Sequence, residues 1–215
     1  TREWEKTKLA KHDVTNASIN ALIDKGIFIQ EKREKSRLQF SLKENPIEEL
    51  NDAPNQALIE IKSGLNEKKP VLLHGITGSG KTHIYSHLIK EVLDKKQQIL
   101  YLLPEIALTS QLITRLQEYF GKKLLVSHSK FTNNERVEIY QAIASGESYL
   151  IVGTRSAIFQ PLKHLGLIIV DEEHESSFKQ HEPAPRFNAR DTALYIAHKR
   201  QVPIILGSAT PAIES

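Results

Sequence analysis

The stretch with the plainest chemistry is VLLHGITGSGKT, residues 71–82, an apolar run that breaks into a glycine-rich turn ending in Lys81 and Thr82. Gly75 and Gly80 permit a tight curl whose backbone N–H groups converge on an anion, and Thr77, Gly78 and Ser79 complete the turn. Lys81 reaches the outer phosphates, Thr82 places a hydroxyl on Mg²⁺, and a helix opening at Lys81 aims its positive end at the same point. A plain strand-to-helix turn would also be rich in Gly, Ser and Thr. Here strand, loop and helix arrive in the order that a phosphate cradle needs, so a nucleoside triphosphate is the working ligand. The second centre is Asp171, Glu172, Glu173 and His174, directly after the apolar run LIIV. An Asp delivered by a strand beside a phosphate loop is a Mg²⁺ partner, and a Glu directly after it can polarise the attacking water. Two acids after a strand are also a common structural cap, and their company with GITGSGKT is what makes them specific. His174 reads either as a bridge from this site to neighbouring loops or as a hydrogen-bonded surface residue.

These side chains need a scaffold, and the apolar pattern supplies one. Short unalternating apolar runs at 71–74, 99–103, 124–127, 149–152, 167–170 and 203–206 read as strands buried on both faces. Helical patterns lie near 56–64, 81–95, 107–120, 133–145 and 188–199. Such alternation predicts an α/β fold with a mainly parallel sheet and helices on both sides, binding its ligand at the C-terminal ends of the strands. The first 45 residues differ. Residues 14–25 predict a helix capped by Thr15 or Asn16, with Ile19, Leu22 and Ile23 on one face; Gly26 stops it, and Ile27, Phe28 and Ile29 lead as a short strand into the polar run QEKREKSR. This resembles part of a winged-helix module; a small helical cap on the next domain is the other reading. Residues 46–54 read as a polar, proline-bounded linker and 55–215 as the nucleotide-binding domain.

Composition narrows the setting. The 215 residues are 40% hydrophobic, with no cysteine and no methionine, even at position 1, so the chain reads as a piece of a longer protein. Without cysteine there is neither a disulfide framework nor a thiolate metal site in this piece. No apolar run is long enough for a bilayer and the start lacks a signal segment, so no membrane partner and a reducing, cytoplasmic setting are expected. A net charge of +3 is too small to argue for nucleic acid by itself. His83 and His87 have the spacing of a zinc protease, but position 84 is Ile where that chemistry needs Glu, and Ser79 is no nucleophile elbow because position 77 is Thr.

Three stretches that follow strands decide the class: PEIALTSQ at 104–111, GTRSAIF at 153–159 and GSAT at 207–210. Small hydroxyl residues, N–H groups at helix starts and one Arg suit a row of phosphate contacts, although each is ordinary loop composition when taken singly. With GITGSGKT and DEEH, in this order, they resemble the first motor lobe of the superfamily two DNA helicases, and closely its replication-restart branch. The resemblance runs from about Asn51 to Ser215 and implies a RecA-like P-loop lobe. It implies ATP read by Gln56, phosphate and Mg²⁺ held by Lys81, Thr82 and Asp171, and water activated by Glu172. It places Thr109, Ser110, Gln111 and Arg155 along single-stranded DNA, and gives Ser208 and Thr210, with His174, the coupling of hydrolysis to movement. The segment ESSFKQHEPAPRFNARD after DEEH is similar to an aromatic-rich loop of such helicases, with Phe178, Lys179, Arg186 and Phe187 stacking bases and holding phosphates; an ordinary surface loop with two anchoring Phe residues is the plain alternative.

The resemblance implies a 3′ to 5′ ATP-dependent DNA helicase acting on single-stranded and forked DNA. Other primosome proteins and single-strand-binding protein would be its partners. A second motor lobe with its arginine finger and a cysteine-rich zinc module would lie outside these residues, leaving this piece inactive alone. Two other readings remain open: an ATPase that moves on duplex DNA without unwinding it, and a module that only binds DNA and nucleotide.

Overall fold

The structure, a computed structural model, describes residues 15–29, 45–76, 78–127 and 131–213, and the chain divides into two compact units, 1–37 and 38–215. In the first unit, α1 (Asn16–Asp24) starts where the Thr15 hydroxyl accepts from the Ser18 N–H at 3.3 Å, and it ends at Gly26, whose φ of +69° glycine adopts without a Cβ clash. The expected strand at 27–29 is absent: the N–H groups of Ile27 and Phe28 turn back to the Leu22 carbonyl and finish the helix instead. The remainder of the winged-helix expectation falls on residues 1–14 and 30–44, outside the described residues.

In the second unit, α2 (Asp52–Asn66) begins earlier than the expected 56, because Pro54 falls in the first turn, where its missing N–H costs nothing. There follow β1 (Val71–His74), α3 (Lys81–Asp94), β2 (Gln98–Leu102), α4 (Ser110–Phe120), β3 (Leu124–Ser127), α5 (Asn133–Ser145), β4 (Leu150–Gly153), β5 (Leu165–Asp171), α6 (Ala189–Arg200) and β6 (Ile204–Ser208). The helix expected from 107 starts at Ser110, since the Ala107 and Leu108 N–H groups close a turn on the Pro104 carbonyl and the Thr109 hydroxyl caps the helix through Leu112 N.

The six strands are all parallel in the order β1-β6-β5-β2-β4-β3. Period-two alternation along β2 explains why its sequence is unbrokenly apolar. Ile99 and Tyr101 join a core with Leu58, Tyr85, Ile89 and Leu116 of α2, α3 and α4, whereas Leu100 and Leu102 join a second core with Ile143 and Ala193 of α5 and α6. The register aligns His74 with Ser208 and Asp171 with Gly207. Three loops separated by up to about 130 residues of sequence therefore leave the sheet side by side.

Candidate nucleotide site and its connections

The phosphate loop is anchored at its entry by the Gly75 N–H donating to the Ser208 carbonyl at 3.0 Å. Gly78 and Gly80 have φ of +82° and +89°, a region glycine enters without strain, and a Cβ at Gly75 would lie 2.7 Å from the Ser79 hydroxyl. Gly80 is the N-cap of α3, so Lys81 and Thr82 open that helix in its first turn, where N–H groups have no partner within the helix. Lys81 is 6% exposed; its ammonium donates to the Gly75 carbonyl at 2.6 Å and stands 3.7 Å from Glu172 Oε1. Thr77 lies outside the described residues.

Asp171 ends β5, 7% exposed, and its carboxylate is held by two phenols. Tyr85 of α3 donates to Oδ1 at 3.2 Å and Tyr101 of β2 donates to Oδ2 at 3.1 Å, while the Glu172 N–H adds a third bond to Oδ1. Burial, and secondarily the Glu172 charge, push the Asp171 pKa above the usual carboxylate range against the opposing pull of Tyr101 and Lys81. Burial and Asp171 itself raise both phenols well above their ordinary value, so they remain protonated donors. Sequence reasoning missed both tyrosines. The available signal was a hydroxyl carried by a fully apolar run, ILYLL, because a buried phenol needs a partner.

Glu172 follows with φ of +50°, a left-handed backbone uncommon for a residue with a Cβ, which swings its carboxylate between Lys81 and His174 Nδ1 at 3.8 Å. His174 Nδ1 shares a 2.7 Å hydrogen bond with the Ser208 hydroxyl, and that oxygen accepts from the Thr210 N–H at 3.1 Å. The structure thus joins His174, Ser208 and Thr210 in one chain from the acidic loop to the segment after β6. Glu173, unassigned by the sequence, is 2% exposed and accepts from Arg190 Nη1 at 3.1 Å and from the Ala212 N–H at 2.9 Å. The Cβ position of Gly80 lies 3.9 Å from Pro54, bringing the start of α2 alongside the phosphate loop; Gln56 on that helix is exposed and donates to Glu60.

Thr109 caps α4 with Ser110 and Gln111 exposed beside it, and Arg155 donates to the Ser177 carbonyl at 3.3 Å, tying the GTRSAIF turn to the loop after DEEH. That loop is closed at its base by a bridge between Lys179 and Asn188 and by the Gln180 N–H on the Phe187 carbonyl. Lys179 and Arg186 are exposed. Phe178 corrects the expectation placed on it: at 1% exposure its ring lies in the second core and offers no face to a base. Phe187 packs edge-on against Phe159, centroids 4.9 Å apart, and Phe159 is 63% exposed, so the accessible aromatic pair joins two segments rather than lying within one loop.

Comparison with known proteins places this geometry. The DEAD/DEAH box helicase family matches residues 54–215. The replication restart protein PriA of Synechocystis is 44% identical over 201 residues, 93% of this chain and 24% of that protein. That of Bacillus subtilis is 42% identical over 211 residues, covering 95% and 26%, and that of Helicobacter pylori (strain ATCC 700392 / 26695) 50% over 151 residues, covering 70% and 24%. The chain thus spans about a quarter of the length of these curated relatives. Among solved structures, RecG bound to a three-way DNA junction superposes with a TM-score of 0.54 at 26% identity, over 76% of this chain and 21% of that one. Mycobacterium smegmatis Lhr bound to single-stranded DNA and AMP-PNP gives 0.53 at 21% identity, over 74% and 23%, a likeness of fold. Among the described residues no helix is long and apolar enough to cross a membrane.

Proposed function

The chain belongs to the DEAD/DEAH box helicases, and from that premise we propose that it is the ATP-binding lobe of a 3′ to 5′ DNA helicase of replication restart. The observation that carries this reading is the convergence of Lys81, Asp171 and Glu172 at one end of the sheet, with Ser208 bonded to His174 beside them. The identity to the PriA proteins supports the biological role.

The residues present fit a small hard cation. Thr82 at the start of α3 and Asp171 at the end of β5 are oxygen donors, and the raised Asp171 pKa marks a carboxylate that a nearby cation would stabilise. Magnesium, when bound there, neutralises charge on the transferred phosphate. Lys81 exchanges its contact with the Gly75 carbonyl for phosphate oxygens, and the N–H groups that open α3 converge on the same anion. Glu172, directed by its left-handed backbone, orients the attacking water and accepts its proton. The chain from His174 through Ser208 to Thr210 communicates the state of the site to the segment beyond β6. Gln56 reads adenine. Thr109, Ser110, Gln111, Arg155, Lys179 and Arg186 hold a single-stranded or forked DNA backbone, and Phe187 with Phe159 stacks its bases. Other primosome proteins, single-strand-binding protein and a zinc module belong to the whole protein under this reading, which acts in the cytoplasm.

The test is titration of a fluorescent ATP analogue, with phosphate release measured in the intact protein. Lys81→Ala loses a charge-assisted contact worth about 1.5 to 3 kcal/mol, so affinity falls roughly 10- to 150-fold. Glu172→Gln keeps affinity and loses turnover. Equal affinity of wild type and Lys81→Ala would refute the assignment.

A further inference from the structure

At the end of the sheet opposite the phosphate loop, where the central strands β2 and β5 begin and α3 and α6 end, lies a cavity of about 540 Å³ whose lining includes Lys95, Lys96, Lys163, His164 and Arg200 among apolar neighbours. Its lining includes no Asp or Glu and no Phe, Tyr or Trp. Cations at helix C-termini answer the helix dipole, and this accounts for Lys95 and Arg200. It does not account for Lys163 and His164, which belong to neither helix. The turn that carries these two is built: the side chain of Gln98, fully buried, accepts from the Lys163 N–H at 2.9 Å and the His164 N–H at 3.2 Å, and donates to the Ile143 carbonyl at 2.9 Å. Arg200 Nη1 is fixed on the Leu162 carbonyl at 2.7 Å, which leaves other guanidinium N–H groups to turn outward. A Cβ at Gly146 would meet the His164 ring at 3.1 Å, so the chain passes close behind it.

We propose that this cavity is a second nucleic-acid site, one that takes the phosphodiester backbone of duplex DNA. The proposal rests on the DNA-helicase reading above. Concentrated positive charge with no acidic residue in the lining selects a polyanion, and the lack of aromatic faces separates this site from one for single strands, which combines cations with stacking platforms. A duplex presents its phosphates outward and its bases inward, which matches a basic surface that offers no aromatic face to a base. Its position opposite the nucleotide site lets it hold a duplex arm without competing for the strand that follows Arg155 and Phe159.

The test uses the intact protein carrying Lys95→Gln, Lys163→Gln and Lys96→Asn together. Asn is chosen because it tolerates the φ of +59° found at position 96. Binding of a blunt duplex and of a single-stranded oligonucleotide is measured by fluorescence anisotropy across a salt series, with polyglutamate as competitor. Duplex affinity should fall by at least about tenfold at low salt, and the slope of log K against log salt should lessen by about 2 to 3, since each phosphate contact contributes roughly 0.9. Single-strand affinity and single-strand-stimulated ATPase should be unchanged. A variant that binds duplex with the wild-type slope overturns this proposal alone. So does polyglutamate displacing nothing from duplex yet binding the wild type and not the variant, which would assign the cavity to an acidic protein segment. A wild type that binds neither DNA overturns the helicase reading and this proposal with it.

Discussion

Gly207 sits where β6 passes the acid at the end of β5, and a single methyl there should be felt in both stability and nucleotide binding. A Cβ built on Gly207 lies 1.9 Å from the Tyr85 hydroxyl, 2.8 Å from Asp171 Oδ1 and 3.2 Å from Tyr85 Cζ. Tyr85 is fully buried, so the phenol cannot retreat without disturbing α3. Gly207→Ala therefore carries an overpacking cost of about 1 to 3 kcal/mol. It also displaces the Tyr85 bond to Asp171, a further 1.5 to 3 kcal/mol or so for a hydrogen bond to a charged group. A total of about 2.5 to 6 kcal/mol corresponds to a fall in Tm of roughly 5 to 24 °C for a unit of this size. Tyr85→Phe removes the hydroxyl and its bond but leaves a ring carbon 3.2 Å from the new methyl, a contact a small shift relieves. The double variant should thus be no less stable than Gly207→Ala alone, about 1.5 to 3 kcal/mol better than the sum of the single changes. Urea denaturation of the four proteins measures this cycle. Additivity within about 0.5 kcal/mol would mean that the methyl is accommodated elsewhere and that the Gly207–Tyr85–Asp171 contact does not explain the glycine.

Asp171→Asn should stabilise the nucleotide-free protein at neutral pH while abolishing Mg-ATP hydrolysis. The raised pKa means that ionisation is disfavoured by the fold, so the penalty is present above the folded pKa and disappears below the unfolded one, where wild type and variant should melt alike. Thermal melts across pH test this, and a variant less stable than wild type at neutral pH would refute it. Phe178→Ala should lose about 3 to 5 kcal/mol of stability as a core truncation, whereas Phe159→Ala with Phe187→Ala should lose less stability than that and lose DNA-stimulated ATPase. Ser208→Ala removes the oxygen shared by His174 and Thr210; ATP affinity should hold within about twofold while unwinding per ATP hydrolysed drops, as strand-displacement and phosphate-release assays together would read.

Local spacing accounts for what was legible in the chain. The phosphate loop, the α/β alternation and the acidic motif depend on contiguous residues and on short-range rules: positive φ at glycine, helix N-termini that attract anions, and apolar runs that must be buried on both faces. Those rules placed the strands to within a few residues, and the order of the five motifs was sufficient to indicate the helicase lobe. Local pattern and composition misled at two places, the strand expected after Gly26 and the base-stacking role expected of Phe178. Phe178 has the composition of a nucleic-acid contact, and only the packing of α6 against β5 decides that its ring faces inward.

By itself, the amino-acid sequence determined which residues could do chemistry and the kind of sheet that would carry them. Tertiary structure alone decided which of them meet. Asp171 lies against Tyr85 and Tyr101, 86 and 70 positions away, and His174 against Ser208, 34 away, because parallel pairing sets β6 between β1 and β5. The strand order depends on how two apolar cores close around β2, and no local pattern encodes it. The basic cavity at the opposite end of the strands depends in the same way on Gln98 reaching across to Lys163, 65 positions distant. Pairings at that range arise from burying the whole sheet at once, so they become visible only when the chain is folded.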